Sequence, residues 1–436
     1  MKKRTFEVGA AKMAIPFPDN FFPYHSWGPR LLTGERDELC VRAIYVDGME
    51  KLLFVSVENG DIDPKWVTML SEVSGIEERN IQISATHTHT APYIGGYWPE
   101  AVEDVEKSAR YTENAWNTVT EAVKRAMSSA EPAFLQYGSG NCYVNINRDV
   151  IVPGRDTGQT IRKTGQNFHG QSDKTVFTLC FTRQDGSPIA VLFNYGVHSA
   201  VLFAAKVKDN GQLSSGDLAG FAMNHVERKL GGAVALFTMA PAADQGSRYA
   251  TSVIEMDPDE KSWRYDNSES WYLVAELLGR DLAEEVFSIW QKMKEPCGEA
   301  RIRTAAETIY VPGKVKKDGP GIPWPKSPEE YEPAEEVPLP LSLIAINDLA
   351  IVGIGCETSS GNTSEIRRTL KENGFADAVI VTQCNGSSPY MSDPEGYQVA
   401  TFSAMASHMM PGAVECMIDG IGTLAGRVTG RKDEEA

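Results

Sequence analysis

Apolar and polar positions change period along the chain in a way that separates strands from helices. Residues 41–46 and 51–57 are dominated by Val, Ile, Leu and aromatic side chains, with a turn opened by Asp47-Gly48 between them, which predicts a β-hairpin. Beyond it, Trp66, Val67, Leu70 and Val73 keep helical spacing up to Gly75, behind an Asp63-Pro64 start suited to a cap and a first turn. Residues 80–84 read as a short strand. Over 110–127, Ala115, Val119, Ala122, Val123 and Ala126 make one apolar face, and over 268–293 Val274, Leu278, Leu282, Val286 and Ile289 do the same. A further helix is predicted over 217–230, and strands over 174–181, 189–194, 233–238, 349–354 and 378–382. Alternating strands and helices predict an α/β protein, a mixed twisted β-sheet flanked by helices.

One segment interrupts this rhythm. Residues 312–340 are rich in Pro, Gly and Glu and read as a long loop. As a linker it would divide the chain, but the strand pattern resumes beyond it and candidate site residues fall on both sides. The expectation is therefore one catalytic domain over 1–436, with a loop excursion at 312–340 lying over the site.

Charge narrows the partners. Among 436 residues, 42 Lys and Arg against 59 Asp and Glu leave a net charge of −17, and no basic run exceeds Lys2-Lys3-Arg4. Nucleic acid and an anionic membrane surface are poor partners for such a chain; a small-molecule substrate is expected, with the oligomeric state unassigned. The basic N-terminus leads into Glu7 without an apolar core, unlike a secretion signal. The most apolar stretch, 341–356, is broken by Asn347-Asp348, so no membrane insertion is expected. Seven scattered cysteines without a Cys-x-x-Cys suit reduced thiols and a cytoplasmic location.

Candidate chemistry gathers at strand ends. Thr86-His87-Thr88-His89 follows a strand and holds two of only seven histidines. In continued extended backbone both rings would point to one side, at the sheet end where open α/β folds place ligands. The plain alternative is a hydrogen-bonded loop pair. His198, Glu357 and Tyr390 also lie just past predicted strands. Imidazoles with one carboxylate at the C-terminal ends of strands make an N/O donor set of the kind that binds zinc with an open position.

On these residues the chain resembles the neutral/alkaline non-lysosomal ceramidases, zinc-dependent amidases that cleave the N-acyl bond of ceramide. Thr86-His87-Thr88-His89-Thr90-Ala91-Pro92 is similar to the family's Thr-His-Thr-His-Ser-Gly-Pro, Asn147-Arg148 to its Asn-Arg, and Gly196-Val197-His198-Ser199 to the region of its second histidine ligand. Gly355-Cys356-Glu357-Thr358 and the stretch 385–397, with Tyr390 and Glu395-Gly396-Tyr397, complete the likeness, which runs from Val8 to beyond Tyr397. The resemblance implies zinc held by His87, His198, Glu357 and Tyr390, with His89 free for proton transfer and Arg148 on the carbonyl oxygen. Tyr93, Trp98, Tyr397 and Phe402 are the candidates for lining the substrate.

Two departures bear on the substrate. Phe402 stands where the family has a second active-site tyrosine, and ceramide-cleaving members generally carry a secretory signal and an immunoglobulin-like C-terminal domain, neither of which is expected here. A small polar or sugar-like substrate is expected rather than membrane ceramide. Tyr24, Trp27, Tyr93, Tyr97, Trp98 and Trp324 in predicted loops also suit sugar rings. That leaves a zinc-dependent carbohydrate-active hydrolase, acting on a glycoside or ester bond, and a non-catalytic metal- or ligand-binding homologue as alternatives. In an amidohydrolase-type reading both His87 and His89 would be ligands, but the further histidines and lysine are not supplied in order. No Gly-x-Ser-x-Gly supports a serine hydrolase, and Asp244 is expected to orient its neighbours.

Overall fold

The computed structural model describes residues 4–25, 31–94, 104–153, 160–207, 210–249, 252–254, 263–265, 268–293, 296–317 and 331–430. Two sheets stack face to face between two layers of helices. The larger has nine strands, in the order Val234–Met239, Pro188–Tyr195, Thr175–Thr182, Glu131–Asn141, Arg4–Ala14, Cys40–Asp47, Lys51–Val57 and Ile81–Ala85, with Glu299–Ala300 paired to the start of Arg4–Ala14. It is antiparallel in the middle and parallel at both edges, where Ile81–Ala85 runs with Lys51–Val57 and Val234–Met239 with Pro188–Tyr195. The smaller sheet holds Ile302–Lys316, Tyr331–Ile346, Leu349–Ile354 and Asp377–Thr382, the last two parallel.

Side-chain alternation explains the stacking. Along Lys51–Val57, Leu53, Val55 and Val57 join Ala115, Val119, Ala122 and Val123 of the helix Val105–Ser128 in one core. Leu52 and Phe54 point the other way, into a core shared with Ile344, Ile351, Val379 and Val381 of the smaller sheet. Strands covered on both faces read as nearly continuous apolar runs, as these do. Helices Asp217–Lys229 and Trp271–Gln291 cover the rest of the large sheet, and Thr363–Glu372 and Ala413–Thr429 cover the smaller one. Gly9 permits the close approach of Val105–Ser128, since a Cβ there would collide with the carbonyl of Ala126.

The expected strands and helices all form, with ends shifted by a few residues. The 312–340 segment differs. Its flanks belong to a long antiparallel ribbon, Ile302–Lys316 with Tyr331–Ile346, while 318–330 lie outside the described residues. Prolines made it read as a loop, yet they fall where a ladder tolerates them. Pro312 sits at the register shift between Val311 and Gly313, and Pro333, Pro338 and Pro340 precede Leu341, where pairing with Leu349–Ile354 begins. Before Leu341 that strand is paired on one side in these ladders, and an edge position does not need the missing N–H.

Among the described residues no helix is long and apolar enough to cross a membrane, and the seven cysteines are free thiols. One rim of the two sheets is drawn together by Asn385, just past Asp377–Thr382. Its Oδ1 accepts from Ile83 N at 2.8 Å and its Nδ2 donates to Ile81 O at 2.6 Å, tying the smaller sheet's last loop to the large sheet's edge strand.

Candidate metal centre

The segments leaving four strands meet at that rim. The chain passes from Ile81–Ala85 into His87, from Pro188–Tyr195 into His198, from Leu349–Ile354 into Glu357 on the short strand Cys356–Thr358, and from Asp377–Thr382 into Tyr390 on Ser388–Met391. The last two short strands run parallel, with Glu357 opposite Tyr390. His87, His89, His198 and Glu357 are all buried.

His87 Nε2 lies 3.2 Å from Glu357 Oε1, and His198 Nε2 lies 3.1 Å from Glu357 Oε2. The other nitrogen of each ring is tied to backbone: His87 Nδ1–H donates to Gly60 O at 2.7 Å and His198 Nδ1–H to Gln245 O at 3.0 Å. A carbonyl can only accept, so each ring carries a proton on Nδ1 and turns its Nε2 edge inward. His89 joins them, its Nε2 3.2 Å from that of His87, and one ligand atom from each of the three histidines lies within 4.8 Å of the others. The convergence does not come from extended backbone, as expected from the spacing. His87 has φ 61°, a left-handed conformation uncommon for a side-chain-bearing residue, and this kink brings the rings of His87 and His89 edge to face at 4.7 Å.

Electrostatics favour a neutral His198 beside an ionised Glu357. Burial, reinforced by the charge of Arg148, pushes the His198 pKa down to about 4. Burial alone would raise Glu357, but the neighbouring His87, His198 and Arg148 outweigh it and hold the carboxyl well below its usual range. Burial and the nearby Glu357 push the Tyr390 hydroxyl up to about 12. His198 Nε2 and Glu357 Oε2 remain buried without a hydrogen-bond partner, although they face one another. Two inward-turned ring nitrogens and a carboxylate, two of these atoms without a hydrogen-bond partner, fit a zinc-type ion.

Arg148 donates through Nε and Nη2 to Ala243 O at 2.9 and 2.6 Å. Its guanidinium carbon lies 5.5 Å from the Tyr390 ring centre and 5.6 Å from that of Phe402, and those rings meet edge-on at 5.7 Å. Tyr390 also stacks on His198 at 6.4 Å. Arg148, Tyr390 and Phe402 therefore flank the histidines. Tyr397 is directed elsewhere: its hydroxyl donates to Met409 O at 3.0 Å inside the corner formed by residues 394–409. Tyr93 is half-buried and its backbone N–H donates to Tyr24 Oη at 3.3 Å. Trp98 lies outside the described residues, as do Trp27, Tyr97 and Trp324.

Several supports have no sequence signature. Gly60 and Gln245 act through backbone carbonyls. Gln383 donates from Nε2 to Glu357 Oε1 at 2.9 Å. Asp244, expected to orient its neighbours, accepts from Ser360 N and Oγ, Gln245 Nε2 and Asn147 Nδ2. Since Arg148 N also donates to Asp244 O at 2.7 Å, this loop holds the arginine, the carbonyl behind His198 and the turn after Glu357 in one network.

Residues 39–248 match the family model described as neutral/alkaline non-lysosomal ceramidase, N-terminal. Among solved structures, the chain is similar to neutral ceramidase from Pseudomonas aeruginosa, at 17% identity over 99% of this chain and 75% of that one, with a TM-score of 0.77. It is also similar to a ceramidase complexed with C2, at 17% identity over 99% of this chain and 76% of that one, with a TM-score of 0.75. At such identity the likeness is one of fold. No curated protein sequence matches.

Proposed function

We infer that the chain, whose residues 39–248 match the neutral/alkaline non-lysosomal ceramidase family model and whose fold is that of neutral ceramidase, is a hydrolase of that family, a zinc-dependent amidase acting on the N-acyl bond of a small polar or sugar-like substrate. The observation that carries this reading is the buried meeting of His87 and His198 with the two oxygens of Glu357, at 3.2 and 3.1 Å, with His198 Nε2 and Glu357 Oε2 lacking hydrogen-bond partners.

His87, His198, Glu357 and Tyr390 are the residues that would hold the ion. When bound, such an ion lowers the pKa of a water toward about 7 and polarises a carbonyl. His89 takes the proton of the attacking water on a ring nitrogen and returns a proton to the departing amine. Arg148, permanently charged and held against Tyr390 and Phe402, stabilises negative charge growing on the carbonyl oxygen.

Phe402 directs the substrate half of the reading. Its ring stands beside Tyr390 with no hydroxyl to offer, where the family resemblance expects a tyrosine. Loss of one oxyanion donor is worth roughly 2.7–4 kcal/mol in an acyl-transfer site, so ceramide hydrolysis is expected to be poor. The test is elemental analysis of protein purified without added metal, beside initial rates on short- and long-chain ceramides, N-acetylated sugars and aryl glycosides in zinc-replete buffer. Absence of stoichiometric transition metal overturns the metal half. Ceramide turnover of about 1–10³ per second overturns the substrate half, and cleavage of aryl glycosides alone favours the carbohydrate-active alternative.

A further inference from the structure

Gln383 is the side chain inside the site whose presence neither the strand-end pattern nor the family resemblance explains. It follows the strand Asp377–Thr382, is fully buried, and adopts φ 50°, in the left-handed region. Its backbone N–H donates to Cys356 O at 3.0 Å, which places it across from Glu357. The left-handed turn sends its amide inward, where Nε2 lies 2.9 Å from Glu357 Oε1. The amide thus presents its NH2 group to that oxygen as the donor.

The two carboxylate oxygens are therefore unequal. Oε1 accepts from Gln383 and faces His87, whereas Oε2 is buried without a hydrogen-bond partner beside His198. We propose that Gln383 is a positioning residue that occupies Glu357 Oε1 and so presents Oε2 as the single coordinating oxygen. Unsatisfied, Oε1 would compete for the same ion and the carboxylate would be free to rotate. Held by the amide, Oε1 is occupied and the carboxylate plane is fixed, so Oε2 would be the oxygen offered to an ion. This rests on the zinc reading of the site, and the experiment separates the two.

Zinc affinity is measured by chelator competition on the full-length protein for wild type, Gln383→Met, which keeps the length without the donor, and Gln383→Glu, which sets a second carboxylate against Glu357. Removal of such an outer partner of a metal ligand typically costs about 10–100-fold in metal affinity, and that loss is expected for Gln383→Met with a larger one for Gln383→Glu. Cobalt-substituted wild type and Gln383→Met should also differ in their visible ligand-field bands, a signature that loss of fold stability alone would not shift. If wild type binds no zinc, the metal reading fails. If wild type binds zinc and both variants match it in affinity and in cobalt spectrum, the role of Gln383 fails. Should Gln383→Met not fold, a zinc-loaded wild-type crystal structure decides: coordination through Oε2 alone supports the proposal, and coordination through both oxygens or through Oε1 overturns it.

Discussion

Arg42 and His198 are equally buried, at 1% exposure each, and both sit beside a glutamate, Glu58 at 0% and Glu357 at 3%. Yet the two clusters are finished to different degrees. Arg42 donates to Glu58 Oε1 at 2.5 Å, Glu227 Oε1 at 2.7 Å and Asn224 Oδ1 at 2.9 Å. The remaining oxygens are taken too, Glu58 Oε2 by Cys40 N at 3.0 Å and Glu227 Oε2 by Lys12 Nζ at 2.7 Å. Around His198 and Glu357, by contrast, ring nitrogens and carboxylate oxygens converge and two atoms go without a hydrogen bond. A closed polar network holds a core in place, whereas an incomplete one is costly unless something fills it. The clusters are neighbours in sequence: Glu58 closes the first, and Gly60, two residues on, orients His87 in the second. Stability on one side of this short segment thus supports chemistry on the other.

The largest contrast should come from breaking the open cluster. His87→Ala is expected to lose stoichiometric metal and to reduce turnover to background. His89→Ala should keep the metal and lose turnover by about 10²–10⁴-fold, the usual scale of general acid–base catalysis. Metal analysis of both purified variants beside their initial rates checks this. Because His89 Nε2 lies as close as 3.2 Å to that of His87, equal metal loss in the two would move His89 into the ligand set and favour a three-histidine site.

Breaking the closed cluster should act on stability alone. Arg42→Met leaves Glu58 and Glu227 facing each other without their common partner. Removing one member of a buried ion pair costs about 3–5 kcal/mol, to be read from denaturant melts of the zinc-loaded protein, with one equivalent of metal still bound to the folded fraction. Selective metal loss at unchanged stability would show that the two clusters are one unit.

How much of this was legible in the sequence depends on what kind of atom does the work. His87 and His89 announced themselves as rare side chains two apart after an apolar strand, and His198, Glu357 and Tyr390 followed from the repeated strand-end pattern and the family resemblance. Gly60 and Gln245 were invisible because a backbone carbonyl carries no residue signature. Gln383 sits at a strand end like the others, but a neutral amide has no charge to single it out until the fold sets it against a carboxylate. Arg42 lay within a strand, where its neighbours Val41 and Ala43 made the run read as core without disclosing Glu227, far along the chain. The prolines of 312–340 hid a ribbon because sequence alone does not say which stretch of a strand has an unpaired side.

A third buried charge lies between the two cases and gives the smallest effect. Lys314 is 8% exposed; its Nζ donates to Ala404 O at 2.5 Å and sits 3.9 Å from the Tyr331 ring centre. Among the described residues no carboxylate reaches it, and burial pushes its pKa down to about 8 from the usual 10.5. Below pH 8 both folded and unfolded chains hold the proton, so the cost of burying the ammonium is present in full. Between pH 8 and 10.5 the unfolded chain binds more protons than the folded one, and stability must rise with pH. At one pKa unit per 1.36 kcal/mol the rise amounts to about 3 kcal/mol at most. Lys314→Met should abolish it, so the stability difference between variant and wild type should shift in favour of wild type as pH climbs from about 7.5 to 9.5, below the range where tyrosines ionise. Parallel pH profiles for the two proteins would mean that the ammonium keeps its water and that the ribbon's hold on residues 404–410 does not depend on this charge.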